Sequence, residues 1–320
     1  KSRNLVQPED FSIKEIDDEI VDTDEANSLI QKHLNSKVCI HLSGTPYRVL
    51  MTSEFEKEDI IAFVQFSDIV DAQTEWDSEN NLRPEPLEEW ENPYYGFPQM
   101  IRFAFNPSKK TRDRIIKMHE MGLSTTFSDI FRPKSINVDS EGNYKKFIYE
   151  DEVLDLLEII DGSKTDENIL SLLDYDKIKE GKLCQHIVVA LPYCSSCDAF
   201  EELIKNNKNK FKNLSSYEII NISGGGSSNK YKTTEEIKNT IRECNNEKKK
   251  TITLTVNRML TGSTVEEWDT MIYLKDTSSP QEYDQSIFRL QNQFIKKYVS
   301  DDGEVIKFNN KPQTLLVDFN

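Results

Sequence analysis

Residues 251–274 read TITLTVNRMLTGSTVEEWDTMIYL. Two short runs rich in Thr, Ile, Leu and Tyr, at 251–256 and 270–274, enclose a polar loop that carries Gly262. Runs of this length and composition predict strands. A Thr-Gly pair just beyond a strand end, here Thr261-Gly262, can bring backbone N–H groups close to a phosphate. An ordinary strand-to-helix turn has the same spacing, so the loop alone leaves both readings open.

The pattern continues on both sides. Upstream, residues 187–191 (IVVAL) predict a strand, 198–206 a helix, 217–222 a strand and 234–245 a helix. Downstream, residues 280–297 predict one long helix, with Ser278 or Ser279 as cap and Pro280 in its first turn, and 315–319 a last strand. Strands alternating with helices imply an α/β fold: a parallel sheet covered on both faces. Ligands of such sheets sit at the carboxyl ends of the strands. The loops after Leu191, Ile222, Val256 and Leu274 are therefore the ones to search.

The amino-terminal half is less regular. Residues 1–23 are acidic, 25–34 predict a helix, and 38–42 a strand that ends at Ser43-Gly44-Thr45-Pro46. Residues 50–100 read as irregular, 100–105 as a strand and 111–121 as a helix. A connecting region spans 122–150, followed by helices at 152–160 and 167–173.

Charge limits the function. The chain has 320 residues, with 56 Asp and Glu against 40 Lys and Arg, a formal net charge of −16. Binding to nucleic acid is dominated by cations on phosphates, so a contact with it must come from a local groove. No run of about twenty apolar residues is present, which predicts no membrane span. Five scattered cysteines do not form a disulfide framework, and a reducing cytoplasm is the expected setting. The chain begins at Lys1 without a Met or signal peptide and reads as an excised fragment or processed product.

Three further features carry chemistry. Gln285 and Arg289 stand four residues apart, on one helix face, and an Arg there can stabilise charge on a transferred phosphoryl group. Taken alone, a surface ion pair of Arg289 with Glu282 or Asp284 is the commoner explanation. Ser43 and Thr45 form a small hydroxyl-bearing turn that can connect two sites, or be a plain turn. Cys194-Ser195-Ser196-Cys197 at a helix start allows a redox pair or half a zinc site. A structural zinc needs two more ligands, and neither the cysteines nor the four histidines supply them at suitable spacing, so no metal site is assigned.

Taken in order, these elements resemble superfamily-two helicases and translocases, especially those of restriction enzymes and methylase-helicases. Residues 38–48 (VCIHLSGTPYR) look like helicase motif III, 187–200 like motif IV, 251–274 like motif V and 279–289 (SPQEYDQSIFR) like motif VI. The likeness extends over residues 180–320 and is local around 38–48. It implies a motor of two RecA-like lobes with ATP and Mg2+ between them and DNA across both. Residues 1–48 would be the end of the first lobe, 49–180 an insert and connector, and 181–320 the second lobe. By the same likeness, Arg289 and Gln285 would face the ATP phosphates, Thr261 and Gly262 would contact the nucleic-acid backbone, Ser43 and Thr45 would couple hydrolysis to movement, and Ser195 and Ser196 would touch DNA.

The chain departs from that pattern in places. It contains no G-x-x-x-x-G-K-[ST] loop, so the β and γ phosphates have no primary cradle. The expectation is that the chain alone turns over no ATP and holds no cofactor tightly, and that its partners are DNA, an ATP-binding first lobe and methyltransferase or nuclease modules. Asn292 replaces a second arginine, Thr264 replaces an acid, and Asp18-Glu19 is at best a remnant of the metal-binding acidic box. The alternative is a non-catalytic module, derived from a helicase lobe, that binds nucleic acid or protein.

Overall fold

The computed structural model describes residues 40, 42, 57–104, 126–134, 146–165, 171–180, 182–223, 230–276 and 279–318. The chain divides into two compact units, Lys1–Gly44 and Thr45–Asn320, and every element below belongs to the second. Of the strand expected at 38–42 only Ile40 and Leu42 are described, neither in regular structure. The helices expected at 25–34 and 111–121 lie outside the described residues, as do Ser43, Thr45 and Asp18-Glu19.

The centre is a six-stranded sheet built from β1 (Gln99–Ala104), β2 (His186–Ala190), β3 (Glu218–Asn221), β4 (Thr251–Thr255), β5 (Thr270–Tyr273) and β8 (Gln313–Asp318). Its order is β1-β8-β5-β2-β4-β3 and every pairing is parallel. The fold is therefore α/β with a parallel sheet flanked by helices. The sheet reaches outside residues 181–320, because its edge strand β1 comes from residues 99–104 and runs in register from Gln99↔Gln313 to Ala104↔Asp318.

Alternation along each strand divides the core between the two faces. Ile187, Val189, Ile252, Leu254, Ile272, Leu315 and Val317 point to one face. They meet α3 (Glu150–Asp161) and α5 (Cys194–Asn206), which bury Val153, Leu157 and Ile160, and Cys197, Phe200 and Ile204, at helical spacing. Val188, Ala190, Ile220, Met271, Tyr273 and Leu316 point to the other face. There α6 (Thr234–Asn246) packs Ile237 and Ile241 beside fully buried Trp268. A reciprocal cap starts α6: Thr233 Oγ1 accepts from Glu236 N at 3.1 Å and Glu236 accepts from Thr233 N at 3.2 Å. The threonines of β4 are buried on this second face and need partners there. Thr253 takes one from Trp268 Nε1 at 3.2 Å, and Thr251 pairs with His186 Nδ1 at 2.9 Å.

Small helices α2 (Phe127–Ile130) and α4 (Asp176–Glu180) complete the first face. Buried Asp161, at the end of α3, accepts from the backbone N–H groups of Lys212, Asn213 and Leu214 at 2.6–2.9 Å and so fixes the approach to β3. Gly162 closes α3 at φ 82°, where a Cβ would fall 2.4 Å from Asp174 Cβ.

Two expectations are corrected. The long helix at 280–297 is only α7 (Pro280–Ile287), capped by Ser279. Beyond it the chain turns and enters a hairpin, β6 (Ile295–Val299) with antiparallel β7 (Val305–Asn309), joined through Asp301, Asp302 and Gly303 at φ 84°. Phe294, Ile295, Tyr298 and Val299 favour a strand once a partner strand is available, and cross-strand pairing overrides the helical periodicity. The region 50–100, read as irregular, contains a 16-residue helix, α1 (Phe66–Asn81). Phe66, Ile69, Val70 and Trp76 fall at helical spacing along it, but they are diluted by polar residues and only Asn80 is buried, so the apolar signal is weak.

Candidate functional site

The loop leaving β4 is held in shape from within. Thr255 Oγ1 donates to Arg258 O at 2.8 Å, and Leu260 N to Asn257 O at 3.1 Å. Met259 adopts φ 66°, a left-handed conformation, with its side chain buried. The Arg258 guanidinium donates to three carbonyls: Ile222 at 3.2 Å, Tyr231 at 2.8 Å and Lys232 at 3.0 Å. Arg258 therefore ties this loop to the end of β3 and the approach to α6. Thr261 and Gly262 are exposed at the far side of the loop. Gly262 has φ 69°, and a Cβ there would meet nothing within 4 Å. The glycine is required by the backbone angle alone, and the space beside it is open.

Arg289 lies in the turn just past α7 and reaches this loop. Its Nη1 donates to Ser263 O at 2.7 Å and its Nε to Gln285 O at 3.1 Å. The guanidinium is half-buried, and burial pulls its pKa below the ordinary arginine value. The Arg289 fork thus touches the loop one residue past Gly262. The ion pair with Glu282 or Asp284, the plain alternative for Arg289, is not among the contacts that hold it. Gln285 is half-buried within α7, so the two residues expected on one helix face are divided by the helix end. Asn292 closes the turn by donating to Arg289 O at 2.9 Å.

The spacing did not reveal how α7 is anchored. Lys275, buried just past β5, donates to Glu282 Oε1 at 2.5 Å, Asn257 Oδ1 at 2.6 Å and Val256 O at 3.4 Å. One lysine thereby joins the loop after β4 to the first turn of α7. A second clamp comes from Tyr283, whose hydroxyl donates to buried Asp318 at the end of β8; Arg102 of β1 reaches the same carboxylate at 2.8 Å. A lysine directly after an apolar strand, with a Glu seven residues on, was the available signal for the first clamp. The second joins residues 216 apart and had none.

The other candidates are placed differently. Ser196 is fully buried, and its hydroxyl donates to Phe131 O at 2.6 Å, a tie between α5 and the segment after α2. Ser195 is half-buried in the first turn of α5. Cys194 and Cys197 are free thiols, both pushed up in pKa by burial, Cys197 to about 12. Burial thus disfavours the thiolate form, the reverse of what activates a redox pair. Among the described residues no group of three or more His, Cys, Asp or Glu side chains is arranged to hold a metal ion, and no helix is long and apolar enough to cross a membrane.

No protein-family model matches the chain. It is 28% identical over 274 residues to a Mycoplasma pneumoniae protein described as the carboxyl-terminal part of a candidate type II restriction enzyme and methyltransferase, RM.MpnORF110P. The match takes in 81% of this chain, which spans only 35% of that relative's length. Among solved structures, the carboxyl-terminal part of the Fun30 ATPase domain aligns over 65% of this chain and 47% of that one, with 10% identity and a TM-score of 0.31, too low to support an inference.

Proposed function

We propose that this chain is part of an ATP-dependent DNA translocase or helicase of a restriction-modification system, and that residues 181–320 with β1 form its second RecA-like lobe. The observation that carries the reading is the Arg289 guanidinium, which meets the carbonyl of Ser263 beside exposed Gly262. The ordered motifs from residue 187 to 289 support it, as does the relative named for restriction and methylation.

The residues present fit one side of a nucleotide site. A half-buried guanidinium in low dielectric stabilises phosphate charge more strongly than an exposed one. Its anchorage on Ser263 and Gln285 also fixes the direction of the fork before any ligand arrives. Gln285 and Arg289 would hold the phosphate side of ATP with its Mg2+, and the bound nucleotide would supply the phosphoryl group for hydrolysis. The chain has no phosphate loop, so a partner lobe must provide the cradle. Thr261 and the Gly262 N–H would contact the nucleic-acid backbone. Because Ser263 is one residue away and held by Arg289, a shift of the arginine passes directly to that contact.

The test measures DNA-stimulated phosphate release from the 320-residue chain and from the longer protein that contains it. The 320 residues alone should give none. In the longer protein, Arg289→Ala should lower turnover by about a thousandfold or more, the usual worth of an arginine of this kind, with its melting curve retained. Robust turnover by the chain alone, or unchanged turnover in the variant, overturns the proposal. A non-catalytic binding module is the second reading. Asn292 favours it, because the position that would bear a second arginine closes a turn instead.

A further inference from the structure

The hairpin β6–β7 has one face with no use so far. Residues opposite each other in an antiparallel pair project to the same side. Ile295 and Asn309, then Lys297 and Lys307, share the side that meets the segment before β1. Lys307 Nζ donates to Trp90 O at 3.0 Å, and Ile295 lies so close to Gly96 that a Cβ there would fall 2.7 Å from its side chain. The opposite side carries Lys296 with Phe308 and Tyr298 with Ile306, all four exposed. Tyr298 is 54% and Phe308 59% accessible. Lys296 Nζ lies 5.9 Å from the Phe294 ring, so the ammonium stands over this same face.

An apolar face this open needs an occupant, and its charge selects one. The chain as a whole is strongly acidic, yet no acidic residue occurs from 285 to 300 or from 305 to 317. Of the strand lysines, Lys296 stands on the outer side and Lys297 and Lys307 on the inner one, and the acids Asp301, Asp302 and Glu304 are confined to the turn, so the only charge on the outer face is positive. Tyr298 and Phe308 are diagonal neighbours, about 7–8 Å apart for such pairs. That is roughly twice the 3.4 Å rise along one strand of a duplex, so the two rings suit bases that have been pulled apart.

We propose that the outer face of β6–β7 is a stacking platform for single-stranded nucleic acid. Tyr298 and Phe308 each take a base, Ile306 fills between them, and Lys296 neutralises the backbone. The three acids of the turn repel phosphates and mark one end of the track, which must run along the strands toward the base of the hairpin. Aromatic stacking with nearby cations is a sequence-tolerant way to hold a single strand. The platform does not depend on Arg289 or on the motor reading.

The experiment is fluorescence anisotropy of a labelled oligothymidylate, and of its duplex, with the 320-residue chain at several salt concentrations. The single strand should bind more tightly than the duplex. Tyr298→Ala and Phe308→Ala should each weaken it by roughly tenfold, and Lys296→Ala should reduce the log–log salt slope by about 0.7. Both rings are exposed, so thermal melts of the variants should match the wild type. Failure to bind the oligothymidylate, equal affinity for the duplex, or wild-type affinity in the Tyr298→Ala, Phe308→Ala double variant overturns the platform and leaves the phosphate-release test standing. So does self-association that sedimentation finds in the wild type and that the double variant abolishes, which would make the face a protein interface.

Discussion

Replacing Lys275 with Met would test whether the carboxyl edge of the sheet is held by one buried cation. Lys275 has three donors and three acceptors, on Glu282, Asn257 and Val256, and its side chain is 8% exposed. Removing one partner of a buried ion pair costs about 3–5 kcal/mol, because the other charge is stranded. Here the Glu282 side chain remains 32% exposed, so water can recover part of that loss and the expected cost falls to about 2–3 kcal/mol. Glu282→Gln keeps a neutral acceptor and should cost about 1 kcal/mol. The two changes share one interaction, so the double variant should cost less than the sum by about 1–2 kcal/mol. Urea unfolding followed by tryptophan fluorescence reads this directly, since Trp268 is buried in the adjacent core, and the midpoint should move at unchanged slope. A Lys275→Met protein within about 0.5 kcal/mol of wild type, or a strictly additive cycle, would refute the clamp.

Two further outcomes follow from the same edges and loops. Burial pushes the Asp269 carboxyl up to about 6 although Gln185 N, His186 N and the Thr270 hydroxyl donate to it; between the ordinary Asp value of 3.8 and about 6 the folded chain holds a proton that the unfolded chain has lost, so stability should fall as pH rises through that window. Denaturation midpoints across it should show the slope in the wild type and lose it in Asp269→Asn; an unchanged slope in the variant would place the titrating group elsewhere. Gly262→Ala meets no atom within 4 Å but must hold φ 69°, so it should cost about 1–2 kcal/mol in a melting or urea experiment, and a neutral result would show that the loop relaxes to another angle.

Much of the sheet could be read from residue pattern. The strands at 187–191, 217–222, 251–256, 270–274 and 315–319 were each displaced by a residue or two at most, because β-branched and apolar runs bounded by polar turns admit little else. The register of β1 was not readable. Residues 100–105 read as a strand, but nothing local says that a strand pairs with a partner more than two hundred residues away. Asp301-Asp302-Gly303 is a turn signal between two β-prone runs, but the helical periodicity of 280–287 continues into 288–297 and hides the hairpin. At the site, the adjacency of Arg289 and Gly262 could be anticipated only from the order of motifs. Arg258 and Lys275, which shape the loop and join it to α7, are single cations in loops whose partners are mostly backbone oxygens, and backbone oxygens leave no trace in a residue pattern.

The origin of β1 bears on where the chain can be cut. A protein beginning at residue 181 would contain five of the six strands but would lose the one that covers β8. Fully buried Leu315, Leu316 and Val317 would then line an open border with a row of unpaired amide and carbonyl groups, the template on which other chains add strands. Asp318 would also lose Arg102 while still enclosed. Such a truncation should yield insoluble material, whereas one that retains residues 99–104 and their tether keeps the border sealed. The same long-range closure slows assembly, since a strand made early must wait for the end of the chain before it has a neighbour.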